Sequence, residues 1–418
     1  MDILEDLQWR QAIQQVSDET NFKRLLASGK KISLYCGVDP TGDSLHIGHL
    51  IPFIMLKRFQ QAGHHPYIVI GGGTGSIGDP SGRKTERQLQ TMDQVNRNKA
   101  ALTQQMRRIF GQDNFTIVDN YDWLSKISLL DFLRDYGKLF NVNTMLNKEI
   151  VARRLEAGIS FTEFTYQILQ SVDFWHLFKH EQVQVQIGGA DQWGNLTAGM
   201  DLIHKKQPQA EVFALTIPLM LKADGTKFGK TAGGAVWLDP KKTSPFEFYQ
   251  FWLNQDDRDV IKYLKFFTFL SHEEIDQLSV EVAHHPEKRK AQRRLAQEVT
   301  TFVHGKAAMQ EAEKISQILF GGDIKDLSVA QIEQAFAKMP SVQASAQPQN
   351  IINWLVDLKL EPSKRQARED VHNGAISLNG NLVTDEQLLV QPDEHFEGKY
   401  MIVRKGKKNY TLVHIKND

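Results

Sequence analysis

The stretch ISLYCGVDPTGDSLHIGHL, residues 32–50, decides how this chain is read. Its apolar run Ile32 to Val38 predicts a strand, and Asp39-Pro40-Thr41-Gly42-Asp43 a turn. Ser44 stands where a helix cap belongs, before a helix carrying Leu45, Ile47, Leu50 and Ile54 on one apolar side. A second apolar run, Tyr67 to Ile70, leads into a glycine loop at 71–75. Strand, helix, strand is a crossover unit of a parallel sheet, with its helix N-terminus beside the carboxyl ends of the strands where mononucleotides bind. Within that helix start lies His46-Ile47-Gly48-His49. Almost two hundred residues on, a glycine-flanked loop reads Lys227-Phe228-Gly229-Lys230-Thr231.

Charge explains why these two strings belong together. A triphosphate attacked at phosphorus spreads negative charge over its oxygens, so catalysis needs positioned donors, which imidazole N–H groups and lysines supply. Gly48 lets a nucleotide approach the backbone, and His46 and His49, three apart, share a helix face. Each string alone is equally an ordinary helix start or a solvated turn. Their joint occurrence points to an ATP site.

Composition sets bounds. The chain has 418 residues, 41% of them apolar, enough for two or three domains. Lys plus Arg and Asp plus Glu number 50 each, so any polyanion must be met by local patches. Cys36 is the only cysteine, which excludes an intramolecular disulfide and suits a reducing cytosol. The acidic start has no signal-peptide layout and no run reaches membrane-spanning length, so a soluble, cytoplasmic protein without membrane contact is expected.

Alternating apolar runs and helical stretches predict a parallel-sheet α/β domain over residues 1–222, to which the strand Gln184 to Ile187 belongs. Residues 223–325 read as the second string followed by a helical domain, with helices at Pro245–Leu253, Val260–Phe269, His272–His284 and Glu287–Val303. There Lys288, Arg289, Lys290, Arg293 and Arg294 form a basic cluster with few acids nearby, either a solvated face or an RNA contact. Residues 326–350 hold a short helix and then a polar stretch, 341–350, that reads as a flexible linker. Residues 351–418 contain a helix capped by Ser363 and ended by Gly374, a hairpin turn at Asn379-Gly380 and a last strand pair. Basic residues gather there at Lys364, Arg365 and Arg368 and again at Arg404, Lys405, Lys407 and Lys408. The module is either a small stability domain or an RNA binder.

Between 160 and 178, Ser160-Phe161-Thr162-Glu163 has capping-box spacing, and the helix it starts puts Tyr166, Gln170 and Asp173 on one polar stripe among apolar neighbours. That stripe either faces water or lines a pocket. In a pocket, Asp173 needs a donor from the fold or from a ligand.

The two strings resemble the HIGH and KMSKS signatures of the class I aminoacyl-tRNA synthetases. From Tyr35 to Pro40, through Gly78-Asp79-Pro80-Ser81-Gly82 and Gly188 to Asn195, to a C-terminal segment similar to S4 RNA-binding modules, nearly all of the chain resembles bacterial tyrosyl-tRNA synthetases. The resemblance implies a Rossmann-like catalytic domain, an α-helical domain and a small α+β S4-like domain. It implies activation of L-tyrosine by ATP, a substrate accompanied by Mg2+ with no dedicated protein metal site, then transfer to tRNA(Tyr) by a homodimer. Tyr35 and Asp173 would hold the substrate phenol; Asp79, Tyr166 and Gln170 its ammonium; Gln186 and Gln192 would line the pocket. Cys36, Gly37, Asp39, Gly48, His49, Gly189 and Asp191 would meet the nucleoside, and Thr41 and His46 the phosphates, with Lys227, Lys230, Thr231, Arg83 and Arg87 closing over them. Lys288, Arg289, Arg293 and the C-terminal basic residues would contact tRNA. Three departures stand out: Gly229 lacks the hydroxyl of KMSKS, Arg83 replaces a common lysine, and Pro52 should kink the HIGH helix. A tryptophan-specific relative, a small-metabolite nucleotidylyltransferase and a silent RNA-binding scaffold are the competing readings.

Overall fold

The computed structural model describes residues 2–81, 88–155, 158–226, 228–231, 234–392, 396–406 and 409–416. The chain divides into two compact units, Met1–Thr243 with Trp252–His304, and Ser244–Phe251 with Gly305–Asp418.

The first unit is built on six strands, β1 (Gln15–Val16), β2 (Ser33–Val38), β3 (His65–Ile70), β4 (Thr116–Asp119), β5 (Val183–Gly189) and β6 (Phe213–Ile217), in the order β1-β6-β5-β2-β3-β4. Strands β2 to β6 are parallel and β1 pairs antiparallel with β6. The chain first builds outward from β2 through β3 to β4, then returns to lay β5 and β6 on the other side of β2. The switch point therefore falls between β2 and β5, the crevice where α/β sheets bind ligands. Tyr35, Tyr67, Val69, Phe174, Leu177, Val183, Ile203 and Val212 form a core cluster beneath it.

Sequence and structure part at several places in this unit. Ser44 does not cap the helix Ile47–Gln61: His46 does, its Nδ1 accepting from the Gly48 amide at 3.0 Å. Ser44 instead donates to the Leu45 carbonyl. Pro52 lies inside this helix, which spans Ile47–Gln61. A hairpin of β7 (Lys230–Thr231) and β8 (Gly234–Ala235) carries the second string. The helices Asp257–Phe267, His272–His284 and Lys290–His304 follow, the last beginning only after Arg289, whose φ of +48° breaks the helix expected from Glu287.

The second unit overturns the expected linker. Residues Ser341–Ser345 are a strand, β9, which pairs in parallel with the last strand of the chain. Gln349–Asn350 (β10) pairs with Leu389–Val390, the later β13. Val342 and Ala344 turn one face inward, and two apolar positions in a polar run are too few to show as a period. With β11 (Ile376–Leu378), β12 (Asn381–Val383), β14 (Tyr400–Lys405) and β15 (Asn409–Lys416), β9 completes a sheet ordered β12-β11-β14-β15-β9. The Asn379-Gly380 turn has φ of +47° and +84°, the paired positive values of a tight hairpin. The helix Lys306–Gly321 also belongs here, so apart from Ser244–Phe251 the unit begins near 305, and the boundaries expected at 326 and 350 fall inside it.

Candidate active site

The two signature strings meet in space. Ile47 N donates to Val236 O at 3.0 Å and Leu238 N to Leu45 O at 2.8 Å, while Val236 N reaches Gly229 O at 3.4 Å. His46 N donates to His49 Nδ1 at 3.3 Å and the two rings stack 3.9 Å apart. Because His46 Nδ1 accepts from Gly48, the neutral ring carries its proton on Nε2, which makes that atom a donor. A side chain at 48 would lie 2.8 Å from the His46 ring, so only glycine permits this cap. Gly229 has φ of +92°, and a Cβ there would come within 3.2 Å of Ile47. Glycine in place of the KMSKS serine is thus required by the left-handed backbone. Phe228 anchors the loop, buried among Trp252, Tyr263 and Phe267.

A polar chain lines the switch point. Tyr166 Oη donates to Asp39 Oδ2 at 2.8 Å, Thr74 Oγ1 to Asp39 Oδ1 at 2.7 Å, and Asn120 Nδ2 to Thr74 Oγ1 and to Asp173 Oδ2, both at 2.9 Å. Trp123 Nε1 supplies the other Asp173 oxygen at 2.8 Å. Burial pushes the Asp173 carboxyl up to about 7 against these two donors, which pull it down. Beside it, Tyr35 is 1% exposed and stands in register with Gln186 of β5. Tyr35 Oη and Gln186 Oε1 are buried with no hydrogen-bond partner among the described residues. Burial, then the neighbouring Asp173 charge, raise the Tyr35 hydroxyl well above its ordinary value, so it stays a donor. Nearby, Gln192 Nε2 donates to Asp79 Oδ2 at 2.8 Å and Asn195 Nδ2 to Gln192 Oε1 at 3.1 Å.

Asn120, Trp123 and Thr74 escaped the sequence reading. For Asn120 and Trp123 the signal was the run Asp119 to Trp123 directly after an apolar Ile117-Val118, the mark of a strand's carboxyl end; Thr74 lies in the glycine loop 71–75 that follows the run Tyr67 to Ile70. Ser160 does cap the helix Phe161–Glu181, while the Glu163 carboxylate meets Arg154 at 2.8 Å in a buried pair. Gln170 is half-buried, and Asp191 and Gly37 are exposed at the crevice, with Gly189 ending β5. Thr41 is exposed, its carbonyl accepting from Gln90. The Cys36 thiol is buried and pushed up to about 12, so it stays neutral. Lys230 and Thr231 form β7. Arg83, Arg87, Lys227, Lys407 and Lys408 lie outside the described residues.

The basic clusters divide. Arg289 donates to the Leu253 and Gln255 carbonyls, and Arg294 pairs with Glu274 and Glu298 and Lys290 with Glu281, so acids surround a cluster read as nearly free of them. Lys405 lies 2.7 Å from Glu361 and 2.8 Å from Asp370, and Arg404 donates to Ser377. These contacts tie Arg289, Arg404 and Lys405 to neighbouring parts of the chain. Lys288, Arg293, Lys364, Arg365 and Arg368 are exposed, Arg368 with a 3.9 Å approach to Glu386.

The family described as tRNA synthetases class I (W and Y) matches residues 27–321, and the tyrosine–tRNA ligase SYY-like C-terminal domain matches residues 331–413. A parallel sheet with the HIGH and KMSKS elements joined at its switch point is accordingly that of a class I aminoacyl-tRNA synthetase. Full-length similarity narrows this: the chain is 70% identical to the tyrosine–tRNA ligase of Limosilactobacillus reuteri over 417 residues, 100% of both chains. It is 67% identical to tyrosine–tRNA ligase 1 of Enterococcus faecalis, over 99% of this chain and 100% of that one. The chain belongs to the tyrosine–tRNA ligase family. Among solved structures, a C-terminally truncated mitochondrial tyrosyl-tRNA synthetase from Aspergillus nidulans is 31% identical with a TM-score of 0.68, covering 76% of this chain and 94% of that one. A tryptophanyl-tRNA synthetase from Encephalitozoon cuniculi, 15% identical with a TM-score of 0.55 over 74% of this chain and 87% of that one, shares the fold.

Proposed function

We propose that the chain performs its family's reaction, ligation of tyrosine to tRNA(Tyr), with the two clusters described above. The tyrosine carboxylate attacks the ATP α-phosphorus and pyrophosphate leaves, magnesium entering with the nucleotide phosphates. A terminal ribose hydroxyl of tRNA then attacks the carbonyl carbon and AMP leaves. His46 Nε2 and the lysines of the KFGKT loop donate to the phosphate oxygens whose charge grows during attack. Asp79, Tyr166 and Gln170 take the ammonium group, whose three donors match one carboxylate and two neutral acceptors.

The observation that carries the choice of amino acid is the buried, partnerless Tyr35 hydroxyl beside Asp173. Buried polar groups are rarely left unmet, and a phenol offers one acceptor to Tyr35 and one donor to Asp173. An indole N–H would answer only the acceptor. Lys288, Arg293, Lys364, Arg365 and Arg368 are the candidates for phosphate contact with tRNA. Large exposed apolar side chains crowd into residues 129–161, among them Leu129 at 72%, Leu130 at 76% and Phe161 at 74%, and support a homodimer. Among the described residues no helix is long and apolar enough to cross a membrane; with its translational role this supports a cytoplasmic location. Pyrophosphate exchange into ATP, run with each amino acid, tests the reading. Exchange driven by tyrosine alone is expected; exchange driven by tryptophan, or by none, contradicts it.

A further inference from the structure

Residues 236–243 belong to neither signature string, yet they join the two. Beyond the Ile47–Val236 and Leu238–Leu45 hydrogen bonds, Asp239 N donates to Ser44 Oγ at 3.2 Å. At the other end of the same extended segment, Ala235 is the register partner of Lys230. The backbone carrying Lys230 is therefore tied to the turn carrying His46 through one short stretch of chain. Side chains finish the tie. Lys242 forms an ion pair with Asp43, and its ammonium lies 5.0 Å from the centre of the Trp237 ring. Trp237 in turn meets the His46 ring edge-on at 6.0 Å, and Trp237 N donates to Thr243 Oγ1 at 3.0 Å, closing the turn.

We propose that Asp43, Trp237 and Lys242 are positioning residues for tyrosine activation, a clasp that sets the separation of His46 from Lys230 so that both loops address the same phosphates. The proposal rests on the assignment of those loops to ATP. Asp43 and Lys242 are 57% and 33% exposed. Ion pairs that exposed add little to stability, so their loss is read as geometry rather than unfolding. A displacement of about 1 Å between reacting groups costs roughly 100-fold in rate, which makes a small shift measurable.

The test uses the full-length protein with Asp43→Lys and Lys242→Asp, singly and together, and Trp237→Ala. Saturating tyrosine-dependent pyrophosphate exchange, equilibrium tyrosine binding and melting are measured on each. Each single reversal should lower exchange roughly tenfold and Trp237→Ala up to about 100-fold, with tyrosine affinity unchanged. The double reversal should recover most of the rate, which a merely structural contribution of either residue would not do. Where a reversal lowers the melting temperature, Lys242→Met takes its place and is held to the same loss. Single variants at the wild-type rate, or a double variant as slow as the singles, overturn the clasp. Lys230→Ala separates the two levels: lost exchange there beside unaffected clasp variants sinks the clasp alone, whereas full exchange in Lys230→Ala sinks the assignment of the loop as well.

Discussion

At the switch point, buried and part-buried polar side chains hydrogen-bond to one another, from Tyr166 through Asp39, Thr74 and Asn120 to Asp173, leaving Tyr35 Oη and Gln186 Oε1 over. In the C-terminal unit the polar residues of interest are surface cations, and the one seated deepest in contacts, Lys405, is held by Glu361 and Asp370. The difference is one of what an unpaired group means. Inside the fold an unmet donor is costly, and one that stands beside a buried carboxylate at the switch point, as Tyr35 Oη does, points to a ligand. On the surface water meets every cation, and function must be read from density of charge.

If the first region is catalytic in this sense, the largest losses should come from groups that act only on the growing phosphate charge. His46→Ala and Lys230→Ala are each expected to slow activation by roughly 100- to 1000-fold while leaving equilibrium tyrosine binding nearly unchanged. Binding weakened as much as the rate would move both residues into the tyrosine pocket and blur the comparison.

The surface region is sharpened by contrasting two kinds of cation. Lys364, Arg365 and Arg368, all changed to alanine, should lower tRNA charging about tenfold at moderate salt, flatten its salt dependence, and spare pyrophosphate exchange. Lys405→Met should instead lower the melting of the C-terminal unit, because it strands the buried Glu361 beside Asp370. Reversed outcomes would exchange the two assignments.

A smaller, severalfold effect should follow pH. Burial favours the neutral Asp173 carboxyl in the fold, so between the ordinary carboxyl range near 4 and its raised value of about 7 the folded state binds the extra proton. Stability attributable to this group therefore falls as pH rises through that window. Its capacity to accept from a phenol rises in the same direction. The tyrosine-to-phenylalanine ratio of kcat/KM should be severalfold higher at pH 8 than at pH 6; a flat ratio would mean that Asp173 is ionised throughout.

Part of the candidate site was legible from periodicity: the spacing of the helix starting at Ser160 put Tyr166, Gln170 and Asp173 on one stripe. Tyr35, on the strand Ile32 to Val38, and the roles of all four came only from the resemblance to tyrosyl-tRNA synthetases. The donors to Asp173 were not legible, since Asn120 caps and Trp123 lies in a one-turn helix, Tyr121–Leu124, 53 and 50 residues away in sequence. His46 as a cap was hidden because imidazole is not among the usual capping groups and Ser44 is. Strand β9 was hidden because its pairing partner is the last strand of the chain, and pairing, unlike periodicity, leaves no local trace. The tying of Lys405 to Glu361, 44 residues earlier, was invisible for the same reason.

The central claim is that Tyr35 and Asp173 read one substrate hydroxyl from two sides. Rejection of phenylalanine by about five orders of magnitude is an established property of tyrosyl-tRNA synthetases as a class and supplies the scale. The direct measurement is a double-mutant cycle of Tyr35→Phe and Asp173→Asn on the tyrosine-to-phenylalanine ratio of kcat/KM in pyrophosphate exchange. Both single changes should lower the ratio sharply, and the double change should cost clearly less, in free energy, than the sum of the two. Strictly additive losses, or a ratio that either folded single variant leaves intact, would contradict a shared hydroxyl.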